Sequence, residues 1–318
     1  MAFLKYIKYI ICVCAIGLAI LFGVSGSYTS NTFIEISPGS SGNEVANELY
    51  KNNVIFNATL FKIALKLLGK EKELIGGEFH IPEGLSNLGV IMYITNYKNI
   101  YMYKITIVEG WNMREVVSAL NDNTILKDTI SILSKEGSLM PDTYYFPKYT
   151  TRDFIIAKMQ NTMSLYLDEL WNGRDKSLPY INKEQALIMA SLVEEESSYN
   201  DERALIAGLF LNRLRIGMKL QTDPTVAYGL GKDNADKLTK DDLKSKTPYN
   251  TYIHYGLPPT PISNPSRASL KAVFNPSKTK YLYFVADGNG GHVFATNLVD
   301  HNANVSKWRA IEKSRKKN

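Results

Sequence analysis

Cysteine is nearly absent from this 318-residue chain: there are two, Cys12 and Cys14. Both lie in an uncharged stretch running from Tyr9 to Tyr28, so everything after it lacks a disulfide framework and a thiol nucleophile. Neither follows the small residues that a lipidated cysteine needs, since Ile11 precedes Cys12 and Val13 precedes Cys14. Histidine is almost as scarce. The four, His80, His254, His292 and His301, are scattered and form no HExxH pair, so neither a metal site nor a cofactor is expected. No G-x-S-x-G elbow supports serine-hydrolase chemistry. The glycine-rich run Asp287-Gly288-Asn289-Gly290-Gly291 lacks the helix and lysine that a phosphate loop requires. The net charge of +6 sits partly in the tail (Lys313, Arg315, Lys316, Lys317) and partly at Lys5 and Lys8. No zinc-finger or basic-aromatic pattern accompanies it, which argues against a nucleic-acid partner.

The uncharged stretch is the clearest feature of the amino terminus. Its 20 positions suffice for a helix across the hydrocarbon core. With Lys5 and Lys8 before it, the positive-inside rule puts residues 1–8 in the cytoplasm and everything after Tyr28 outside. A cleaved signal peptide, with Val24-Ser25-Gly26 as its small-residue site, is the rival reading.

Beyond a polar linker, Ser27 to Thr32, the patterning is α+β. Phe33-Ile34-Glu35-Ile36 alternates as a strand, and a helix is expected from near Gly42. The arrangement recurs: Gly77 to Gly84 precedes a helix ending near Tyr97, and Lys104 to Gly110 precedes a helix over Met113 to Asn121. A small α+β module over 33–125 and a mixed α+β part over 131–310 follow, with a basic tail at 311–318. Helices are expected to dominate Arg152 to Ile216. Tyr281 to Ala286 and His292 to Ala295 read as a hairpin around the glycine-rich turn.

The stretch Leu187 to Gly229 carries the chemistry. Leu187, Ile188, Met189, Ala190, Leu192 and Val193 are too apolar for a solvated helix, yet the run ends in Glu194, Glu195 and Glu196. A carboxylate there feels the negative end of a helix, acidic neighbours and partial burial, all of which favour its neutral form. A protonated Glu near neutral pH is a general acid. The bland alternative is a solvated acidic cap. Asn200 is expected to cap a second helix, Asp201 to about Ile216, stopped by Gly217. Lys219 to Thr225 then reads as a polar loop pinned by Pro224, suited to hydrogen-bonding a sugar, with a simple connecting loop as the alternative.

At these residues the chain resembles a known family. ASLVEEES, ER.....LFLNRL..GM.LQTDPTVAYG, TPYNTYIHYGLPPTPISNPS and YLYFVADGNGGHVFATNLVDHN, with EGSLMPDTYYFP from Glu136, look like the MltG (YceG-like) family of membrane-anchored endolytic murein transglycosylases. The resemblance runs from about Phe33 to Trp308. It implies that the first glutamate of the V-E-x-E motif, Glu194, is catalytic, and that Glu196 fills the second acidic position. It also places Gln221, Thr222 and Asp223 opposite the catalytic glutamate, with Asn212, Tyr249, Asn250 and Tyr252 lining or supporting the cleft and His292 near it. Glu195 takes no role, and Met140 stands where the family often has an aromatic.

The 33–125 module is then LysM-like, with glycan contact, a spacer role and a partner surface as its alternatives. The implied reaction cleaves the β-1,4 bond between N-acetylmuramic acid and N-acetylglucosamine inside glycan strands. Glu194 would protonate the glycosidic oxygen, then accept the proton of the muramic C6 hydroxyl as it closes on C1, leaving a 1,6-anhydro end and terminating strand growth. Glycan strands, the cytoplasmic membrane, and peptidoglycan synthases or division proteins are the implied partners. A lysozyme-like hydrolase needs a second carboxylate, for which Asp223 is the candidate. A non-catalytic glycan-binding scaffold is the third reading.

Overall fold

A computed structural model describes residues 6, 32–132, 134–197, 199–232 and 238–315. The expected anchor over 9–28 lies outside them. Among the described residues no helix is long and apolar enough to cross a membrane.

In chain order the elements are β1 (Thr32–Ile36), α1 (Gly42–Lys51), α2 (Ala58–Leu67), β2 (Gly77–Ile81), α3 (Asn87–Ile94), β3 (Met102–Thr106), α4 (Met113–Asp122) and β4 (Thr143–Pro147). Then follow α5 (Arg152–Gly173), α6 (Lys183–Glu196), α7 (Asn200–Arg215), α8 (Asp223–Leu230), α9 (Arg267–Phe274), β5 (Tyr283–Ala286), β6 (His292–Ala295) and α10 (Leu298–Arg315). The strands form three two-stranded sheets, β1-β2, β3-β4 and β5-β6. The mixed α+β class is as the sequence patterning predicts.

Two compact units result. The first holds residues up to Ile105 together with Thr124–Asp128 and Tyr145–Thr151. Its antiparallel β1-β2 ladder pairs Ile34 with Phe79. Ile34, Phe61, Leu65, Phe79 and Ile91 on its inner faces are wholly buried. Each such side chain contributes about 1.5–3 kcal/mol by leaving water. α1 begins with a capping box in which Ser41 and Glu44 satisfy each other's backbone donors.

The second unit holds Thr106–Asn123, Thr129–Tyr144 and Arg152–Asn318. This division differs from the expected boundary near 125–131: the chain after β3 belongs with the helical unit. Hydrogen bonds explain it. Ile107 N donates to Asp142 O (3.0 Å), and Gly110 N donates to Asn264 O (3.0 Å). Met113 N, at the start of α4, donates to the Glu136 carboxylate (2.9 Å).

α6 is buried from Ala186 to Val193 without a break. A helix apolar on every face belongs in the middle of a core, and Leu209, Phe210, Leu270 and Val273 of α7 and α9 surround it. α7 ends at Gly217, whose φ of +66° suits glycine. Its start differs from expectation. The cap is Tyr199, with no side-chain cap bond, and Asn200 is the first helical residue. The Asn200 amide oxygen accepts instead from Arg203. The expected polar loop also ends earlier than its composition suggests, because Asp223-Pro224 opens α8, where a proline in the first turn forfeits no helical hydrogen bond.

Candidate functional site

α6 delivers its three terminal glutamates into a cavity of about 660 Å³ within the second unit. That size suits a few sugar rings. Glu194 is its fixed point, with only 5% of the side chain exposed. Oε1 accepts from Arg203 Nη2 at 3.0 Å, and the paired guanidinium is 6% exposed. Oε2 accepts from the backbone N of Ser266 at 2.8 Å and from the Ser266 hydroxyl. Ser266 is also the N-cap of α9, its hydroxyl accepting from Ser269 N at 3.2 Å. Three donors from two neighbouring helices therefore meet the two oxygens of one carboxylate, which holds a single rotamer as an acceptor.

The loop between β3 and α4 also lines the cavity and supplies Val108, Glu109, Gly110, Trp111 and Asn112. Asn264, wholly buried, clamps this loop. Its N and Nδ2 both donate to Trp111 O (2.9 and 2.8 Å), while its Oδ1 accepts from Leu139 N (2.9 Å). Gly110 has φ +81°, and a Cβ there would stand 3.1 Å from Glu195 Oε1. A glycine is needed on both counts, for the backbone conformation and for the close approach. Tyr228 of α8 also lines the cavity and donates to Glu136 Oε2 at 3.1 Å.

Several carboxylates around the cavity have a raised pKa. Burial pushes Glu195 up to about 7, and the Glu194 charge beside it adds to this against an opposing Ser263 hydroxyl. Burial likewise pushes Glu196 up to about 7, opposed by the Thr222 hydroxyl and reinforced by Asp223. Burial also raises Glu109, with Glu194 acting in the same direction and Arg203 against it. For Glu195 and Glu196 the folded protein keeps protons that the unfolded chain would release above about 4.5. The stability these groups contribute is complete below that value and is lost as pH rises through about 7. Thermal melts should therefore show a Tm that falls between pH 5 and pH 8, and the double variant Glu195→Gln/Glu196→Gln should flatten that fall. A wild-type Tm that rises over this interval contradicts it.

The sequence-predicted residues separate into three groups. Glu194 and Glu196 line the cavity. Thr222 and Asp223 act on the Glu196 carboxylate; Thr222 is buried, its N donating to Thr251 Oγ1 (3.0 Å), and Gln221 carries φ +51°. The Asp223 carboxylate accepts from the Tyr252 hydroxyl at 2.5 Å. Asp223 does not line the Glu194 cavity, although the adjacent Pro224 does. Tyr249 stacks edge-on against Tyr228, with ring centroids 4.9 Å apart, and shares a 2.9 Å hydrogen bond with Thr260.

The third group makes its contacts away from the Glu194 cavity. Asn250 is wholly buried and braces its own turn through Leu243 O (3.0 Å) and Ser245 O (2.8 Å). Asn212 lines a different cavity, of about 500 Å³, where its Nδ2 donates to Thr279 O (2.8 Å) and Tyr281 O (3.1 Å). His292 pairs with Glu202 at the start of α7 through Nδ1 (2.8 Å), tying the glycine-rich hairpin to that helix. Arg203, Ser266, Asn264 and the 108–112 loop carry the site but were given no role by the sequence reading. Arg203, Asn264 and Ser266 stand inside the motifs quoted above, which was a signal the reading left unused, whereas the 108–112 loop lies outside them.

The sequence profile of the YceG-like family matches residues 34–307. A Bacillus subtilis (strain 168) protein named endolytic murein transglycosylase is 33% identical over 324 residues, spanning 92% of this chain and 89% of that protein. A Streptococcus pneumoniae (strain R6) protein of the same name is 36% identical over 191 residues, which is 57% of this chain and 34% of that protein. The crystal structure of a YceG-like protein from Listeria monocytogenes superposes with a TM-score of 0.54 at 29% identity, covering 86% of this chain and 98% of that one.

Proposed function

This chain belongs to the YceG-like family, and on that premise we propose that it is an endolytic murein transglycosylase acting at Glu194. The observation that carries the reading is the Glu194 carboxylate, held by Arg203 and Ser266 at the base of a cavity of about 660 Å³. Trp111, which lines the same cavity, offers a sugar an apolar face there.

The reaction breaks the bond between muramic C1 and the glycosidic oxygen. The leaving oxygen gains a proton, C1 is closed by the C6 oxygen of the same sugar, and the C6 hydroxyl proton passes to a carboxylate. No water enters the product. Glu194 suits the accepting step, because its donors hold it in place while Oε1, with the single Arg203 donor, retains a lone pair. Incubation with purified murein strands should shorten them and create 1,6-anhydro ends, whereas a binding scaffold would leave strand length unchanged.

The hydrolase alternative assigns Asp223 a covalent or water-activating role. Its engagement by Tyr252, away from the Glu194 cavity, favours a supporting role instead. Asp223→Asn should then slow cleavage about tenfold or less while every product keeps its anhydro end. A loss as complete as that of the Glu194→Gln variant would make Asp223 a reacting group.

The finer reading adds location and context. The uncharged run from Tyr9 to Tyr28 after Lys5 and Lys8 supports an uncleaved anchor in the cytoplasmic membrane, with the catalytic unit outside the cell's cytoplasm. In fractionation the full chain should stay with membranes after a salt wash and keep its amino terminus; a sequenced terminus beginning after about Gly26 would show cleavage. The strand-helix-helix-strand order β1-α1-α2-β2 supports a LysM-like reading of the first unit. Termination of nascent strands, alongside synthases or division proteins, is the role that endolytic cleavage at the membrane would serve.

A further inference from the structure

We propose that an aromatic face of the first unit, built from Phe33, His80 and Tyr101, sits in the headgroup layer of the membrane that holds the anchor. This rests on the anchor reading of the run from Tyr9 to Tyr28 and adds to it the surface by which the folded chain meets lipid. The face begins in β1. Ile34 and Ile36 turn inward to the core, so the alternation of the strand sends Phe33 and Glu35 to its outer side. Phe33 is 51% exposed there, and His80 of β2 stands opposite it in the ladder, the two rings 4.6 Å apart. Tyr101 N donates to Glu78 O (2.7 Å), which lays the chain entering β3 beside β2. The Tyr101 ring, 40% exposed, thereby comes to 5.2 Å from Phe33.

Tyr103 continues the row, 5.0 Å from Tyr101, and its hydroxyl donates to Glu78. Beyond it the face changes character. Lys148 pairs with Glu35 (2.6 Å) and Glu78 (3.5 Å), and the Tyr149 hydroxyl also donates to Glu35. Exposed rings therefore mark one end of the face, and a satisfied charge network marks the other, about 7 Å further along β1.

The length of chain between anchor and strand decides what covers the aromatic end. Phe33 is five residues beyond Tyr28, a reach of at most about 18 Å. The headgroup layer takes about 5–8 Å of that, whereas a compact unit of about 100 residues has a radius of gyration of about 13 Å. Phe33 is thus at the membrane end of its unit, with His80 and Tyr101 around it. Rings that join an apolar body to a polar tip collect at this depth of a bilayer. A glycan strand is the other occupant that aromatic residues suit, but sugar rings need open faces to stack on. Here Phe33 and Tyr101 cross at 87°, Tyr101 and Tyr103 cross at 82°, and His80 lies against Phe33 at 34°, so the rings are packed on one another.

The test places an indole in this face of the full-length protein, reconstituted in phosphatidylethanolamine–phosphatidylglycerol vesicles with and without bromine on acyl carbons close to the headgroup. The native Trp111, Trp171 and Trp308 give the background. Phe33→Trp and Tyr101→Trp should each lose most of the fluorescence they add over wild type when brominated lipid replaces plain lipid. Leu67→Trp, at an exposed position of α2 on the helical side of the unit, should lose none. Tyr101 is decisive, because it lies far from the anchor along the chain. Quenching of Phe33→Trp alone would mean tethered nearness without contact and would overturn the docking, as would equal quenching at Leu67→Trp. A Tyr101→Trp signal that ignores the lipid but responds to added murein strands would make the face a glycan site instead. Protein that fails to float with the vesicles would overturn the anchor reading and the docking together, whereas protein that floats with Tyr101→Trp unquenched would overturn the docking alone.

Discussion

Glu194→Gln is expected to abolish strand cleavage, with a loss of about 10²–10⁴-fold, the range for removing a positioned acid–base group. The amide nearly matches the carboxylate in size and keeps one oxygen acceptor, so the helix and cavity should survive. It cannot accept a proton from the C6 hydroxyl. Its NH₂ must also face either Arg203 or the Ser266 N–H, replacing one attractive contact by a donor–donor clash. A modest loss of stability is therefore expected alongside the loss of activity, and a circular dichroism melt separates the two. Near wild-type production of anhydro ends by the folded variant would remove Glu194 from the chemistry.

Arg203→Met should have the largest effect on stability. The guanidinium is 6% exposed, and it bonds Glu194 and Asn200 across the bend between α6 and α7. Breaking one side of a buried pair leaves an uncompensated charge and costs about 3–5 kcal/mol. The cost should be partly recovered in the double variant Glu194→Gln/Arg203→Met, because the stranded carboxylate is then gone. Denaturant unfolding of the two single variants and the double variant measures this coupling. Additive losses would mean that the pair does not stabilise the bend. Activity should fall as well, since Glu194 loses one of the donors that orient it, and Glu109, freed of a nearby cation, should be raised further.

Local elements were legible wherever period and punctuation agreed. The alternation of Phe33 to Ile36 forms β1, the apolar run before Glu194 forms the all-buried stretch of α6, and Gly217 ends α7. These features depend on the chain's own neighbours. What was not legible depends on contacts across long sequence separations. Glu83-Gly84 and Glu109-Gly110 are near-identical turns, with φ of +82° and +81° at the glycines, and the sequence reading treated them as repeats of one module. The bonds of Asn264 to Gly110 and Trp111, and the seat of Gly110 on Glu195, show that the second turn belongs to the Glu194 cavity.

Polar residues in the motifs were harder to sort, because the same side chain serves a site or a turn according to its partners. Asn250 and Asn212 spend their amides on backbone carbonyls, and Asn200 bonds Arg203 rather than capping its helix. The acid–base pattern was visible as three consecutive glutamates. Their division of labour was not, since it depends on which carboxylate meets Arg203 and Ser266 and which are merely buried.

The measurement that bears most directly on this account is the mass of the products that the wild-type protein releases from purified murein in ¹⁸O-labelled water. Closure of C6–O on C1 excludes solvent from the new end, so the account predicts 1,6-anhydro-muramic ends carrying no label. Reducing ends with one labelled oxygen each would contradict it, because they require water, not the sugar's own hydroxyl, to have attacked C1.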